Sequence, residues 1–211
     1  MSGLQRIAGR AIVLIRSDVD TDQIIPAAWL KKVERTGFGA GLFEAWRKDP
    51  QFALNQPGAD QARVLISGPN FGCGSSREHA VWALQDFGFQ AVVAPSFADI
   101  FRGNAISAGL VPAQVTDEAA ARLAAVLVAD PDAEVVLDLA AKTVYAGAIA
   151  EPFEITDYAQ WRLLEGLDDV GLTLRHEASI AAFEATRPGW LPVVAAAAAT
   201  TGAGGGSGSA G

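Results

Sequence analysis

Between residues 63 and 115 the chain alternates short apolar runs with segments of helical period. Arg63–Ser67 (RVLIS), Ala91–Ala94 (AVVA) and the run opening at Leu110-Val111 are short, β-branched and bounded by Gly or Pro, which predicts strands. Between them, SSREHAVWALQDF and SFADIFRGNAISA carry helical spacing. Ser75 with Glu78, and Ser96 with Asp99, have the S-x-x-[DE] spacing of a capping box, and Gly88 and Gly109 stand where the helices would end. Strand, Gly-rich loop, helix, strand, helix, strand predicts an α/β layer structure with a mixed, largely parallel central sheet. Upstream, Ala11–Ile15 predicts a strand, Asp18–Asp22 a polar turn and Ile24–Leu30 a short helix. Residues 35–60, rich in Gly, Pro, Asn and charge, predict a long loop with a small helix near Leu42–Lys48. Downstream, Thr116–Ala129 predicts a helix, Glu134–Leu139 with Lys142–Tyr145 a hairpin, Phe153–Ile155 a short strand, and Asp157–Glu165 and Arg175–Arg187 two helices, the last stopped by Pro188. These elements make one domain over residues 1–192. Residues 193–211, almost all Ala, Gly, Ser and Thr, have no large side chains to bury and are expected to be a disordered tail.

Composition narrows the function classes. Of 211 residues, 50% are hydrophobic and 19% charged, enough apolar material for a core. The net charge of −8 disfavours nucleic-acid binding, which needs a basic face to release counterions. No apolar run before the tail reaches membrane-spanning length, and the short apolar run near the N-terminus is broken by Arg16, Asp18 and Asp20, so neither a membrane span nor a signal peptide is expected. A single cysteine, Cys73, forbids a disulfide framework and suits a reducing cytoplasm. It also leaves the chain without the several thiolates that usually hold an iron–sulfur cluster, and no metal site is expected on it.

The candidate chemistry sits in GPNFGCGSSRE, residues 68–78. A Gly-rich turn between a strand and a helix presents backbone N–H groups at the positive end of the helix dipole, where an anion binds. Ser75, Ser76 and Arg77 stand at that mouth, and a guanidinium can hold a carboxylate or phosphate through two parallel bonds. The P-loop pattern is absent, and GCGSSR approaches the dinucleotide fingerprint without matching it. From spacing alone two readings stay open: an anion site, or an ordinary start in which Ser75 is an N-cap and Arg77 a solvated first-turn residue. His79 either supports the serines from one helical turn away or bonds a neighbouring carbonyl. Cys73 reads as a small packed residue. Asp20, Thr21 and Asp22 either make a turn or reach the site, with Asp22 the best placed for the latter.

The string GPNFGCGSSREHAVWAL closely resembles the signature of the swivel domain of the aconitase family. DVDTDQIIPAAWLKK resembles a second block of that family, TGFGAGLFEAWR follows as in its isopropylmalate-isomerising small subunits, and SFADIFRGNAISAGLVP completes four blocks in the family's order over residues 1–190. The resemblance implies an aconitase-like swivelling β/β/α domain and a hydro-lyase that shifts a hydroxyl between adjacent carbons of a substituted malate through an alkene. Its expected reaction interconverts 2- and 3-isopropylmalate by way of 2-isopropylmaleate, in leucine biosynthesis. It implies a cluster-bearing large subunit as partner, with the [4Fe–4S] cluster on that subunit and no cofactor bound by this chain. By motif, Ser75 becomes the catalytic base, Ser76 and Arg77 the ligands of a substrate carboxylate, and Asp22 and His79 supporting residues. Where the family's citrate-binding members read W-L-K-F-R, this chain reads Trp29-Leu30-Lys31-Lys32-Val33, so Val33 stands where an arginine would meet a third carboxylate and implies an apolar substituent. Phe38, Leu42 and Phe43 line that pocket or belong to the core. Competing readings are a related hydro-lyase for homocitrate or citraconate, a non-catalytic anion-binding module, and a cysteine enzyme using Cys73 with His79 or His176.

Overall fold

The computed structural model describes residues 3–32, 36–188 and 190. Val33 and the expected tail 193–211 lie outside the described residues. The chain divides into two compact units, Met1–Leu172 and Thr173–Gly211.

The first unit is built on a seven-stranded mixed sheet. Its strands are β1 (Arg6–Leu14), β2 (Ala62–Ser67), β3 (Ala91–Ala94), β4 (Val111–Gln114), β5 (Val135–Asp138), β6 (Thr143–Ala146) and β7 (Ile149–Pro152), arranged β4-β3-β2-β1-β5-β6-β7. The β1–β2, β2–β3 and β3–β4 pairings are parallel, while β1–β5, β5–β6 and β6–β7 are antiparallel. The two halves meet within β1. Arg6–Gly9 pairs with β5, Arg10–Leu14 pairs with β2, and the register shifts between Arg10 and Ala11. The apolar run at residues 11–15 announced only the parallel part, because Arg6–Arg10 mixes charge and glycine with its apolar positions.

A four-residue helical turn, α1 (Thr21–Ile24), follows β1, and four longer helices cover the sheet: α2 (Glu78–Phe87), α3 (Asp99–Ala108), α4 (Asp117–Ala129) and α5 (Asp157–Glu165). Side chains alternate across β2. Leu65 joins a core with Ala80, Val81 and Leu84 of α2 and Phe101 and Ala105 of α3. Val64 and Ile66 join a second core with Ala119, Leu123 and Leu127 of α4. This period-2 division makes three layers, and the continuous apolar character of the parallel strands follows from burial on both faces.

Several local expectations are corrected. Neither predicted capping box forms: α2 starts at Glu78 behind Arg77, and α3 starts at Asp99 behind Ala98, with no side-chain cap at either. Ser96 instead accepts the Asn70 N–H at 2.8 Å, and the Ala98 N–H donates to the Phe71 carbonyl at 3.0 Å. Side-chain caps form instead at Asp20, which makes a reciprocal box with Gln23 at α1, and at Thr116 and Thr156, which accept from Ala119 and Ala159, among others. The helix expected near Leu42–Lys48 is replaced by the 3₁₀ turns Gly39–Gly41 and Trp46–Lys48. Phe38, Leu42 and Phe43 are fully buried, which places them in the core. The strand expected at 153–155 lies earlier, at Ile149–Pro152, because Gly147-Ala148 closes a tight hairpin that pairs Ala146 with Ile149.

An additional helix, α6 (Asp169–Leu174), spans the boundary between the units; the Gly171 N–H donates to Asp168 at 2.7 Å. In the second unit α7 covers Glu177–Ala185, inside the longer helix expected over 175–187. Among the described residues no helix is long and apolar enough to cross a membrane.

Candidate active site

Residues 68–77 leave the end of β2 and form a braced loop rather than a solvated turn. The Gly72 N–H donates to the Val19 carbonyl at 2.8 Å, the Phe71 N–H to the Ser96 carbonyl at 3.0 Å and the Thr21 N–H to the Cys73 carbonyl at 2.9 Å. The Asn70 side chain donates to Asp18 at 2.7 Å. The 18–22 turn therefore stitches onto one side of the loop and the 96–98 segment onto the other. These bridges hold Ser75 and Ser76 outside α2, exposed, and make Arg77 the last residue before the helix.

Thr21, Gly72, Gly74, Ser75, Ser76, Arg77, Ala98, Asp99, Ile100 and Phe101 line one cavity of about 250 Å³. Three of the expected site residues thus share a single space. Arg77 is not the solvated residue of the ordinary helix start. Its side chain is only 14% exposed and forms a two-pronged ion pair with Asp22, one bond at 2.9 Å and the other shorter. A third bond runs from its guanidinium to the Ile25 carbonyl at 3.4 Å. Asp22 is thereby joined to the site through Arg77. These bonds do not use every N–H of the guanidinium, which belongs to a residue of the cavity lining, and a guanidinium N–H can bond a carboxylate.

The remaining expected residues lie elsewhere. The His79 ring packs edge-on to Phe38 at 5.2 Å and against Trp82 at 4.7 Å, in an aromatic group between α2 and the 36–41 segment that is not part of the cavity lining. Cys73 faces back toward the 18–22 turn. Partial burial, then the neighbouring carboxylates Asp20 and Asp18, push its thiol above the ordinary range, opposite to what a nucleophile requires. Among the described residues no group of three or more His, Cys, Asp or Glu could hold a metal ion. Thr21, which the sequence left open between making a turn and reaching the site, enters the cavity lining, and Ala98–Phe101, which the sequence did not single out for the site, lines it as well. The bridges from 71 and 72 to 96 and 19 make these contacts, and the only sequence trace of them is the proximity of the D-T-D and SFADIF blocks to the same chemistry.

Comparisons with known proteins agree on the class. The aconitase C-terminal domain family matches residues 1–118, and the family of the C-terminal domain of the 3-isopropylmalate dehydratase small subunit matches residues 169–195. The chain is 61% identical over 184 residues to the 3-isopropylmalate dehydratase small subunit of Frankia alni, covering 87% of this chain and 94% of that one. It is 54% identical over 192 residues to the small subunit of the same name from Streptomyces coelicolor, covering 91% and 98%. Among solved structures, the 3-isopropylmalate dehydratase of Methanocaldococcus jannaschii superposes with a TM-score of 0.66 at 28% identity, covering 84% of this chain and 99% of that chain. The chain belongs to the aconitase family, in its branch of 3-isopropylmalate dehydratase small subunits.

Proposed function

We propose that this chain is the small subunit of a 3-isopropylmalate dehydratase, a hydro-lyase that acts only with its large subunit, and that loop 68–77 brings this chain's share of the active site. The observation that carries the reading is the convergence of Ser75, Ser76 and Arg77 on one cavity, with Arg77 fixed by Asp22. Arg77 and the Ser76 hydroxyl bind a carboxylate of the substrate. The ionised Ser75 oxygen takes a proton from one substrate carbon, the C–H electron pair becomes the second bond of the alkene, and the hydroxyl on the neighbouring carbon takes the C–O electron pair and a proton from an acid on the large subunit's side and leaves as water. In rehydration the two positions exchange: water, giving its proton back to that acid, adds its hydroxyl to the carbon that lost the proton, and Ser75 returns its proton to the carbon that lost the hydroxyl. A serine oxygen can accept that proton only in strong positive potential, and the start of α2 and the Arg77 guanidinium are the sources at hand.

With one cysteine, this chain does not fit a [4Fe–4S] cluster of its own, and we assign the cluster to the large subunit. The same single thiol suits the reducing cytoplasm as the enzyme's location. Val33, apolar where the family resemblance implies an arginine in citrate-binding members, is assigned to the choice of an apolar substituent.

The test is reconstitution with the large subunit under anaerobic conditions, following 2-isopropylmaleate by its alkene absorbance. Neither chain alone should turn over substrate. Ser75→Ala should lower kcat by at least about a hundredfold, in the range of a lost general base. Full activity in Ser75→Ala would remove the base assignment. Tight dicarboxylate binding by this chain alone, with no turnover in the assembled pair, would favour an anion-binding module.

A further inference from the structure

The Thr21 hydroxyl is in contact with both the backbone and the side chain of Ser75. The residue is buried, 2% exposed, and belongs to the cavity lining. Thr21 Oγ1 donates to the Ser75 carbonyl at 2.9 Å and lies 3.4 Å from Ser75 Oγ. A hydroxyl has one proton and two lone pairs. With that proton on the carbonyl, Thr21 offers Ser75 Oγ only lone pairs, so any bond between the hydroxyls has Ser75 as donor. A Ser75 hydroxyl that makes this bond directs its proton to Thr21 and keeps its lone pairs free for the substrate.

We propose that Thr21 is the positioning residue for Ser75, accepting the hydrogen bond of its hydroxyl and turning its own proton onto the Ser75 oxygen when that oxygen is charged. The inference rests on Ser75 being the base. The second arrangement needs only rotation of the Thr21 C–O bond: the bond to the Ser75 carbonyl is given up, and a charge-assisted bond to the alkoxide, about twice as strong, replaces it. The backbone keeps the two residues together in both states, because the Thr21 N–H is fixed on the Cys73 carbonyl and α1 is capped by Asp20. The titratable groups around the pair are Arg77 with Asp22, Asp99 across the cavity, and Asp20 and Cys73 behind Thr21.

The experiment compares Thr21→Val and Thr21→Ser in the assembled enzyme. Thr21→Val keeps the shape and loses the hydroxyl. It should lower kcat about ten- to a hundredfold, as for a lost bond to a charged group, with KM little changed. Its rate should rise at higher pH than in the wild type, since the alkoxide has lost a donor. Thr21→Ser should restore both rate and pH profile. Wild-type kcat and profile in Thr21→Val would overturn the proposal, as would equal impairment of Thr21→Ser, which would make the methyl group the important part. If Thr21→Val does not assemble, Thr21→Ala carries the same comparison. An inactive Ser75→Ala beside a wild-type Thr21→Val removes only the Thr21 role, whereas full activity in both removes the base assignment itself.

Discussion

The same substitution, glycine to alanine, should have opposite effects at two positions ~30 residues apart. At Gly72, φ is +77° and an added Cβ would lie 2.2 Å from Phe101 Cγ and 2.5 Å from Phe101 Cβ. Phe101 is 2% exposed and packs against Phe71 at 5.2 Å, so it has nowhere to retreat. Left-handed backbone costs an alanine roughly 1–2 kcal/mol, and overpacking a core about 1–3 kcal/mol more. At Gly103, within α3, a Cβ would meet nothing within 4 Å and φ is outside the left-handed region. There alanine should stabilise by about 0.5–1 kcal/mol, through the smaller conformational freedom of the unfolded chain. In a chain of this size about 1 kcal/mol moves Tm by roughly 2–4 °C. Gly72→Ala should therefore melt roughly 4–20 °C lower, and Gly103→Ala roughly 1–4 °C higher, by circular dichroism under one set of conditions. A Gly72→Ala chain within about 2 °C of the wild type would refute the close approach of loop to α3, which is one wall of the site.

Three other outcomes are expected. Arg77→Lys keeps the charge but cannot make two parallel bonds, so KM for isopropylmalate in the assembled enzyme should rise about tenfold or more; an unchanged KM would take Arg77 out of carboxylate binding. Glu151 lies below the usual carboxylate range because Arg122 donates to both its oxygens, at 2.6 and 2.9 Å. A depressed folded pKa stabilises above the unfolded value and is lost as pH falls through the folded one. Glu151→Gln should thus lower Tm at neutral pH and converge with the wild type in acid, and a gap that persists below the range of carboxylate titration would contradict this reading. Val33→Arg should lower isopropylmalate turnover more than it lowers Tm, and unchanged kinetics would remove Val33 from substrate choice.

The α/β alternation from 63 to 115 was legible in the sequence because strands buried on both faces are continuous apolar runs and their helices end at glycines. That Ser75, Ser76 and Arg77 belong together was legible from their adjacency at a Gly-rich strand-to-helix turn, and the structure brings all three to one cavity. For Phe38, Leu42 and Phe43 the sequence left pocket and core both open, because 3₁₀ turns have no extended period to announce which side faces the core, and the structure places them in the core. The sequence signals also misplaced both helix starts. Ser75 and Ser96 have capping spacing, but local propensity gave way to longer-range bonds: the 71–73 backbone pairs with 19–21 and with 96–98, and these pairings hold the serines in loops. Tertiary structure likewise decided that Asp22 reaches Arg77 and Thr21 reaches Ser75, contacts spanning 55 and 54 positions of chain. Residue type and short-range period reside in the sequence itself, whereas the meeting of distant polar groups depends on how β1, β2 and β3 lie side by side and deliver their loops to one edge of the sheet.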